Sequence, residues 1–413
     1  MLSLQRIFWI CSICLLAEGV NQAQVTAQWR GPARDGIYPD KGLLKTWPDM
    51  GPKLLWSYEE LGNGFGSPAV TDKQVFINGE ADSTSTLFSF NLQGKLLWKV
   101  SYGKEFTGNG FASRFPGARS TPAVTGDLVY AFSGTGTLAC FENQTGKNRW
   151  SRNLASEYHG ACNDYGYAES PLIDGDVIYC SPGGPDAFVV AMNRFTGETI
   201  WTSKGFGDTV SFTSPMLIQL PARKLLVTMS NHYIYALDAG SGDMLWKQYQ
   251  DNVKLKQQCN TPVYADGFIY YIAGDGNGAV KLKLSPDGGS VTEVWRNPLV
   301  KNNFKGFVKL GSSIYTGDKT QKVKRIDLTT GQVTDSLKTK DASLVYADDR
   351  LYCYSDNGEV TLLNAGGPKM EIAGKFKIDK GNQEYFAHPV ISQGILWIRH
   401  GKALLAYDIR QKE

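Results

Sequence analysis

The chain has 413 residues, enough for two or three ordinary domains or for one long array of repeats. Its 42% hydrophobic content, 45 glycines and 20% charged residues are typical of a folded, turn-rich protein and exclude an intrinsically disordered chain. The 43 basic and 40 acidic residues are interspersed and leave a formal net charge of +3, so no nucleic-acid partner is expected.

The first 24 residues have the composition of an export signal. Arg6 precedes the apolar run Ile7–Ala17, which is too short to span a bilayer, and small residues follow at Gly19 and Ala23. We therefore expect residues 1–24 to be a signal peptide, which places the mature chain in the periplasm or outside the cell. The alternative is a buried N-terminal strand. No later apolar run approaches membrane length, so no transmembrane segment is expected after cleavage.

Residues 25–53 are interpreted as an N-terminal arm, and repeats follow. A tryptophan closes a similar phrase in successive repeats, as in FENQTGKNRW ending at Trp150, and these tryptophans are 42 to 52 residues apart. That period is typical of a four-stranded propeller blade rather than of a helical repeat. The recurring residues are Trp56, Trp98, Trp150, Trp201, Trp246 and Trp295.

Eight stretches each predict a pair of strands around a turn such as Asp-Gly or Gly-Asp, the signal of a hairpin. They begin at Ser67, Ser120, Ser170, Ser214, Asn260, Gly306, Ser343 and His388.

The last repeat stops one strand short at Leu404–Arg410, while Leu54–Tyr58 is an outer strand with no blade before it. We therefore predict that residues 54–413 form an all-β, eight-bladed β-propeller of four-stranded antiparallel blades, closed by this N-terminal strand. A seven-bladed ring is the alternative if residues 306–317 are an insertion.

The residues before each tryptophan have a structural interpretation. The glycine among them is expected to adopt positive φ in the tight turn between the third and fourth strands. The tryptophan would fill the wedge between neighbouring blades while its indole N–H finds a backbone acceptor, a docking motif rather than a cofactor site. Asp335 and Phe376 stand at the corresponding positions of the later blades.

The phrase A-x-D-x-x-T-G-x-x-x-W, present here in variants, resembles the repeat of the pyrroloquinoline-quinone (PQQ) β-propellers. The resemblance covers Gln28–Ile409 and extends to one bacterial branch, through the stretches Gln28–Pro48 (QWRGPARDGIYPDKGLLKTWP), Pro116–Pro122 (PGARSTP) and NTPVYADG from Asn260. Members are labelled quinoprotein alcohol dehydrogenase-like. A propeller lipoprotein of the outer-membrane assembly machine has the same fold and acts by protein binding.

The resemblance also implies what a quinone-dependent member would need. Such dehydrogenases carry a vicinal cysteine pair and a calcium ion held by Glu, Asn and Asp near the quinone. This chain has no Cys-Cys pair, its four histidines share no spacing, and no such Glu/Asn/Asp constellation can be placed. We therefore expect no metal site and assign no catalytic residue, with PQQ and calcium as the alternative that the resemblance implies.

The residues just before each innermost strand are expected to surround the mouth of the central channel, where a ligand would bind. Aromatic side chains combined with charge suit a polar or anionic ligand. Arg119 and Glu169 stand at equivalent positions one blade apart, so an inter-blade salt bridge is the alternative to a ligand role. The candidate ligand-binding residues are Arg114, Arg119, Tyr165, Tyr167, Glu169, Phe212, Asn260, Lys305 and His388.

The sequence thus predicts an exported, monomeric propeller that acts as a binding or interaction protein. Its partner would be a small polar or anionic ligand, or a cell-envelope protein, at the channel mouth. The alternative function is a quinoprotein-type dehydrogenase that oxidises alcohols or sugars.

Overall fold

A computed structural model describes residues 26–250 and 258–411, which form eight four-stranded antiparallel sheets arranged as the blades of a propeller. The predicted signal peptide lies outside the described residues. Helical structure in the described part of the chain consists of α1 (Leu154–Glu157), α2 (Gly274–Asn277) and a 3-10 turn at Gly110–Arg114. None of these described helices has the length and apolar character needed to cross a membrane.

The first strand within the described residues, β1 (Lys53–Tyr58), belongs to the last blade. Blade 1 contains β2 (Ala69–Val70), β3 (Gln74–Ala81), β4 (Thr84–Asn91) and β5 (Leu96–Lys104). Blade 2 contains β6 (Ala123–Thr125), β7 (Leu128–Phe132), β8 (Thr137–Glu142) and β9 (Asn148–Asn153). Blade 3 contains β10 (Leu172–Asp174), β11 (Val177–Cys180), β12 (Val190–Asn193) and β13 (Thr199–Thr202). Blade 4 contains β14 (Met216–Gln219), β15 (Lys224–Met229), β16 (Tyr233–Asp238) and β17 (Met244–Tyr249).

The second half of the chain repeats this arrangement. Blade 5 contains β18 (Val263–Ala265), β19 (Phe268–Ile272), β20 (Ala279–Leu284) and β21 (Val291–Asn297). Blade 6 contains β22 (Phe307–Leu310), β23 (Ser313–Asp318), β24 (Lys322–Asp327) and β25 (Val333–Lys338). Blade 7 contains β26 (Ala342–Ala347), β27 (Arg350–Ser355), β28 (Glu359–Asn364) and β29 (Glu371–Lys377). Blade 8 contains β30 (Val390–Ser392), β31 (Ile395–His400), β32 (Ala403–Asp408) and finally β1.

The ring is closed by the N-terminal strand, as predicted. Strand β1 pairs antiparallel with β32, with Leu54 opposite Tyr407 and Ser57 opposite Leu405. The seven-bladed alternative is wrong, because β22 and β23 are the two inner strands of a complete sixth sheet.

Each of the recurring tryptophans bonds to the following blade. The indole N–H of Trp98 donates to the carbonyl of Asn143 at 3.0 Å, and a Cβ placed on Gly146 (φ +71°) would lie 2.8 Å from the same indole. The turn glycine therefore provides both the left-handed backbone conformation and the space that the ring occupies. The other indole donors and their carbonyl acceptors are Trp56 and Leu92, Trp150 and Arg194, Trp201 and Ala239, Trp246 and Gly288, and Trp295 and Leu328.

Blades 6 and 7 replace the tryptophan with other contacts. The Oδ2 atom of Asp335 accepts a hydrogen bond from the backbone N–H of Met370 at 2.6 Å, in the next blade. In blade 7 the register places Gly374 at the tryptophan position, so the expectation that Phe376 occupies it is wrong. Phe376, two residues later, still packs against the next blade, because a Cβ on Gly51 (φ +78°) would lie 2.7 Å from its side chain. Both side chains thus join their blade to its neighbour.

The N-terminal arm, residues 26–52, crosses the central channel. Ala27 pairs with Val124 of blade 2, while the guanidinium of Arg30 donates to the carbonyls of Phe307 at 2.5 Å and Leu344 at 3.3 Å, in blades 6 and 7. The guanidinium of Arg34 donates to the carbonyl of Ser170 in blade 3 at 2.9 Å. Since these blades lie on opposite sides of the ring, the arm fills the channel between them.

The described part of the arm begins on the face that carries the turns between first and second strands, which we call the hairpin face. Thr26 and Ala27 lie there in an open groove of about 600 Å³, beside the β2–β3 and β6–β7 turns, and Lys73 lies at its edge. The opposite face, where the chain enters each innermost strand, is the mouth face.

Candidate functional site

A cavity of about 290 Å³ opens at the mouth face, and we call it the mouth cavity. It is framed by loops that precede the innermost strands and by the tip of the arm. Aromatic rings form most of its wall: Trp29, Phe65, Phe111, Phe115, Tyr165, Phe212, Phe304 and Phe386. The remaining lining residues are Arg119, Ala168, Ser170, Ser214, Cys259, Asn303 and His388. The observed wall is therefore more apolar than the sequence predicted.

Trp29 closes the cavity on the channel side. Its indole N–H donates to the hydroxyl of Thr261 at 3.0 Å, and its ring meets that of His388 edge-on with centroids 4.7 Å apart. Because the arm behind Trp29 fills the channel, the mouth cavity is a blind pocket rather than the end of an open pore.

His388 is held as a neutral imidazole. Arg30 donates to its Nδ1 atom at 2.7 Å, so Nδ1 accepts, and its Nε2–H donates to the carbonyl of Phe304 at 3.0 Å. Burial, followed by the adjacent charge of Arg30, lowers the pKa of His388 well below its ordinary value. The ring therefore carries no charge near pH 7.

Arg119 supplies a permanent positive charge to the cavity wall. Its guanidinium donates to the carbonyls of Gly117, at 2.8 Å, and Phe115, and lies 5.4 Å from the ring centroid of Phe65. Burial lowers its pKa to about 10, which still leaves it charged at neutral pH. Those carbonyl bonds tie the guanidinium to its own loop.

The predicted Arg119–Glu169 salt bridge is wrong, because the two side chains point to different partners. The carboxyl of Glu169 accepts from the backbone N–H of Ser181 at 2.7 Å and from its hydroxyl at 2.6 Å, inside blade 3. Burial raises the pKa of Glu169 to about 7, partly offset by these bonds and by Arg34. Glu169 is thus a buried group of the blade and lies outside the cavity lining.

Three further candidates are also buried away from the lining. The hydroxyl of Tyr167 donates to the carbonyl of Pro182 at 2.7 Å. The side chain of Asn260 donates to the carbonyl of Ile272 at 3.0 Å and accepts from Gly306 at 2.9 Å. Lys305 is only 1% exposed, and its pKa is lowered by burial.

Arg114 is exposed, with its guanidinium 5.2 Å from the ring centroid of Phe111, and it does not belong to the lining either. The structure therefore brings together four of the nine predicted residues, namely Arg119, Tyr165, Phe212 and His388.

Comparison with known proteins decides the family. Residues 84–336, more than half of the chain, match the family model described as outer membrane protein assembly factor BamB. The chain belongs to this family of PQQ-repeat propellers.

Two relatives illustrate the range of this PQQ-repeat family. The chain is 26% identical over 213 residues to the outer membrane protein assembly factor BamB of Salmonella typhimurium, a match that covers 52% of this chain and 48% of the relative. It is 26% identical over 224 residues to a quinoprotein ethanol dehydrogenase of Pseudomonas putida, covering 49% of this chain and 31% of the relative. The chain therefore matches half or less of the length of these relatives.

Solved structures share the fold. BamB from Moraxella catarrhalis superposes with a TM-score of 0.62 at 14% identity, covering 87% of this chain and 98% of that chain. Quinohemoprotein alcohol dehydrogenase from Comamonas testosteroni gives a TM-score of 0.67 at 12% identity, covering 94% of this chain and 81% of that chain. At these identities the likeness establishes the propeller architecture alone.

The mouth cavity of this PQQ-repeat propeller does not fit PQQ with calcium. PQQ carries three carboxylates, whereas Arg119 is the one permanently charged side chain among the described lining residues. No group of three or more His, Cys, Asp or Glu side chains in residues 26–250 and 258–411 is placed to hold a metal ion. The donors present thus leave most of the cofactor's charge uncompensated.

One sequence signal would have identified the lining more accurately. In six blades the innermost strand is introduced by a proline, and the residue three positions before that proline lines the cavity. These residues are Phe65, Arg119, Ala168, Phe212, Cys259 and Phe386. Residues two positions before the proline, such as Glu169 and Asn260, turn away from it. Trp29 carries no comparable signal.

Proposed function

We propose that this chain is an exported binding protein of the cell envelope, and that it receives a ligand or a segment of a partner protein in the mouth cavity. The observation that carries the proposal is the blind, aromatic cavity on one face of a rigid ring. The match to a family described as an outer membrane assembly factor supports a role in binding rather than catalysis.

The rim of the cavity has the character of a contact surface. Phe111 is 62% exposed in the 3-10 turn Gly110–Arg114, with its ring centroid 5.6 Å from that of Phe115. Large aromatic side chains are enriched at the energetic centres of protein interfaces, and their exposure otherwise favours aggregation. A partner that covers Phe111 and enters the cavity would remove this exposed apolar surface from water.

The second candidate function is a quinone-dependent dehydrogenase, which the ethanol dehydrogenase relative brings into consideration. The donor set of the cavity argues against it. The purified full chain, supplied with PQQ and Ca²⁺, should show neither stoichiometric quinone binding nor dye-linked oxidation of alcohols or sugars. Tight stoichiometric quinone binding with turnover would reverse the proposal.

The positive test uses photo-crosslinking in intact cells. A photoreactive residue at Phe111 should form a defined adduct with a cell-envelope protein or with its ligand. The matched control places the same residue at Met50, which is 95% exposed in a turn on the hairpin face. Equal adducts at both positions, or adducts at Met50 alone, would contradict binding at the mouth.

A further inference from the structure

Cations of the protein lie against several rings of the mouth cavity. The ammonium of Lys305 is 4.9 Å from the ring centroid of Phe304 and 5.7 Å from that of Phe386. These two rings meet edge-on with centroids 4.8 Å apart, and both line the cavity, whereas Lys305 does not. Lys305 thus contacts cavity-lining rings from outside the lining.

The Lys305 ammonium has no hydrogen-bond partner among the described residues, although it is buried. The carboxylates of Asp341 and Asp356 raise the pKa of Lys305 against the larger effect of burial, but neither forms a direct ion pair with it among the described residues, and Oδ1 of Asp341 is also unpartnered there. The charge of Lys305 is therefore offset by these carboxylates only without direct contact, and part of its potential extends through the rings towards the cavity.

An aromatic cavity often binds cations, because ring faces are electron-rich. Here that use is disfavoured, since Lys305 already interacts with two rings and Arg119 lies 5.4 Å from the centroid of a third, Phe65. A bound cation would experience repulsion from both of these charges. An anion would be attracted to them, while a flat ring could still pack against the aromatic wall.

Arg119 also has N–H groups available to donate hydrogen bonds to a ligand. A guanidinium has five N–H groups, and those of Arg119 make hydrogen bonds to only two carbonyls, Gly117 and Phe115, among the described residues. The remaining N–H groups belong to a side chain that lines the cavity, where they can donate to one carboxylate.

We infer that the mouth cavity selects a compact aromatic monocarboxylate, with its ring against the aromatic wall and its carboxylate on Arg119. The volume of about 290 Å³ suits one or two fused rings, at the small end of ligand sites. This inference rests on the proposed function, since it specifies the chemistry of an occupant at the same mouth.

Isothermal titration of the full chain with three matched probes tests the inference. The probes are 2-naphthoate, 2-naphthylmethanol and 2-naphthylmethylammonium, which share a ring system and differ in charge. We expect 2-naphthoate to bind at least about tenfold more tightly than the alcohol, which corresponds to about 1.4 kcal/mol in binding free energy. The ammonium probe should bind most weakly of the three. Equal binding of acid and alcohol, or preference for the ammonium, would overturn the inference.

Two variants test the source of the selectivity. Arg119→Gln should abolish the preference for the acid, but it also removes bonds that hold its own loop. Lys305→Met removes a charge that lies outside the lining. Burial raises the pKa of Asp341 to about 6 while Lys305 lowers it, so in this variant the Asp341 carboxyl should take up a proton instead of remaining an unpaired buried charge. The fold should therefore be retained while the preference falls several-fold. Lys73→Met on the hairpin face is the charge-matched control and should leave the preference unchanged.

The outcomes separate this inference from the proposed function. If Lys305→Met and Lys73→Met retain the same selectivity, or if no naphthyl probe binds, the assigned ligand chemistry is wrong. Crosslinking through Phe111 would in that case still report whether the mouth binds a partner, independently of the ligand class.

Discussion

Glu169 carries a proton-dependent contribution to stability. Its carboxyl is buried in blade 3, and burial raises its pKa to about 7 from an ordinary 4.5. A carboxyl whose folded pKa lies above its unfolded pKa holds its proton more tightly in the folded state. The corresponding stability is complete below about pH 4.5 and is lost as the pH rises through about 7.

Replacing Glu169 with glutamine should remove this dependence. The amide oxygen can still accept from the backbone N–H of Ser181, and the amide N–H₂ can donate to the Ser181 hydroxyl. Relative to wild type, Glu169→Gln should gain up to about 3 kcal/mol in unfolding free energy between pH 4.5 and pH 8. Urea unfolding across that range measures the difference, and a pH-independent difference would contradict the buried, protonated state.

At this scale the sequence predicted where a cavity lies better than it predicted which side chains line it. The loops before the innermost strands do converge at the mouth, and Arg119, Tyr165, Phe212 and His388 line the cavity. A shift of one residue in extended chain reverses the direction of a side chain. Glu169 therefore turns into the blade, although its neighbours Ala168 and Ser170 face the cavity.

The inter-blade contacts of the tryptophans can be tested at the scale of the element. A Cβ on Gly146 would lie 2.8 Å from the Trp98 indole, whereas Gly267, in the β18–β19 turn, has nothing within 4 Å. Both glycines have positive φ, +71° and +82° respectively. Alanine at either position therefore introduces the same kind of backbone strain, because both have positive φ. Only Gly146→Ala also displaces a tryptophan.

We expect Gly146→Ala to cost about 1–3 kcal/mol more unfolding free energy than Gly267→Ala, the usual penalty for overpacking a well-filled contact. Urea denaturation of both variants measures this difference. Equal losses would show that the Trp98 indole can move aside and that the turn glycine serves backbone conformation alone.

At the scale of the whole molecule, closure depends on β1 and not on the arm before it. A deletion through Glu59 removes β1 and leaves β32 with an unpaired edge, so it should aggregate. A deletion through Asp40 removes the channel-filling part of the arm but keeps β1, so it should remain monomeric with reduced stability.

Size-exclusion chromatography with light scattering distinguishes the two products. If the deletion through Glu59 is soluble and has an unchanged melting temperature, β1 is not needed to close the ring. Aggregation of both products would instead mean that Arg30 and Arg34, which bond to blades on opposite sides of the ring, are needed for the ring to persist.

The architecture was predictable because each blade repeats the same local signals, a turn glycine followed by a tryptophan, and repetition compensates for weak single instances. The course of the arm was not predictable by that means. Trp29, Arg30 and Arg34 occur once, and their partners lie 136 to 358 residues away in sequence apart from local contacts. Such contacts depend on the assembled ring, which no local pattern describes.

The course of the arm also connects the two faces of the ring. Thr26 lies in the groove of the hairpin face, while Trp29, three residues later, forms the floor of the mouth cavity on the other side. The groove and the floor of the mouth cavity are therefore parts of one continuous segment, so the two faces of the ring are joined through the arm rather than separated by an open channel.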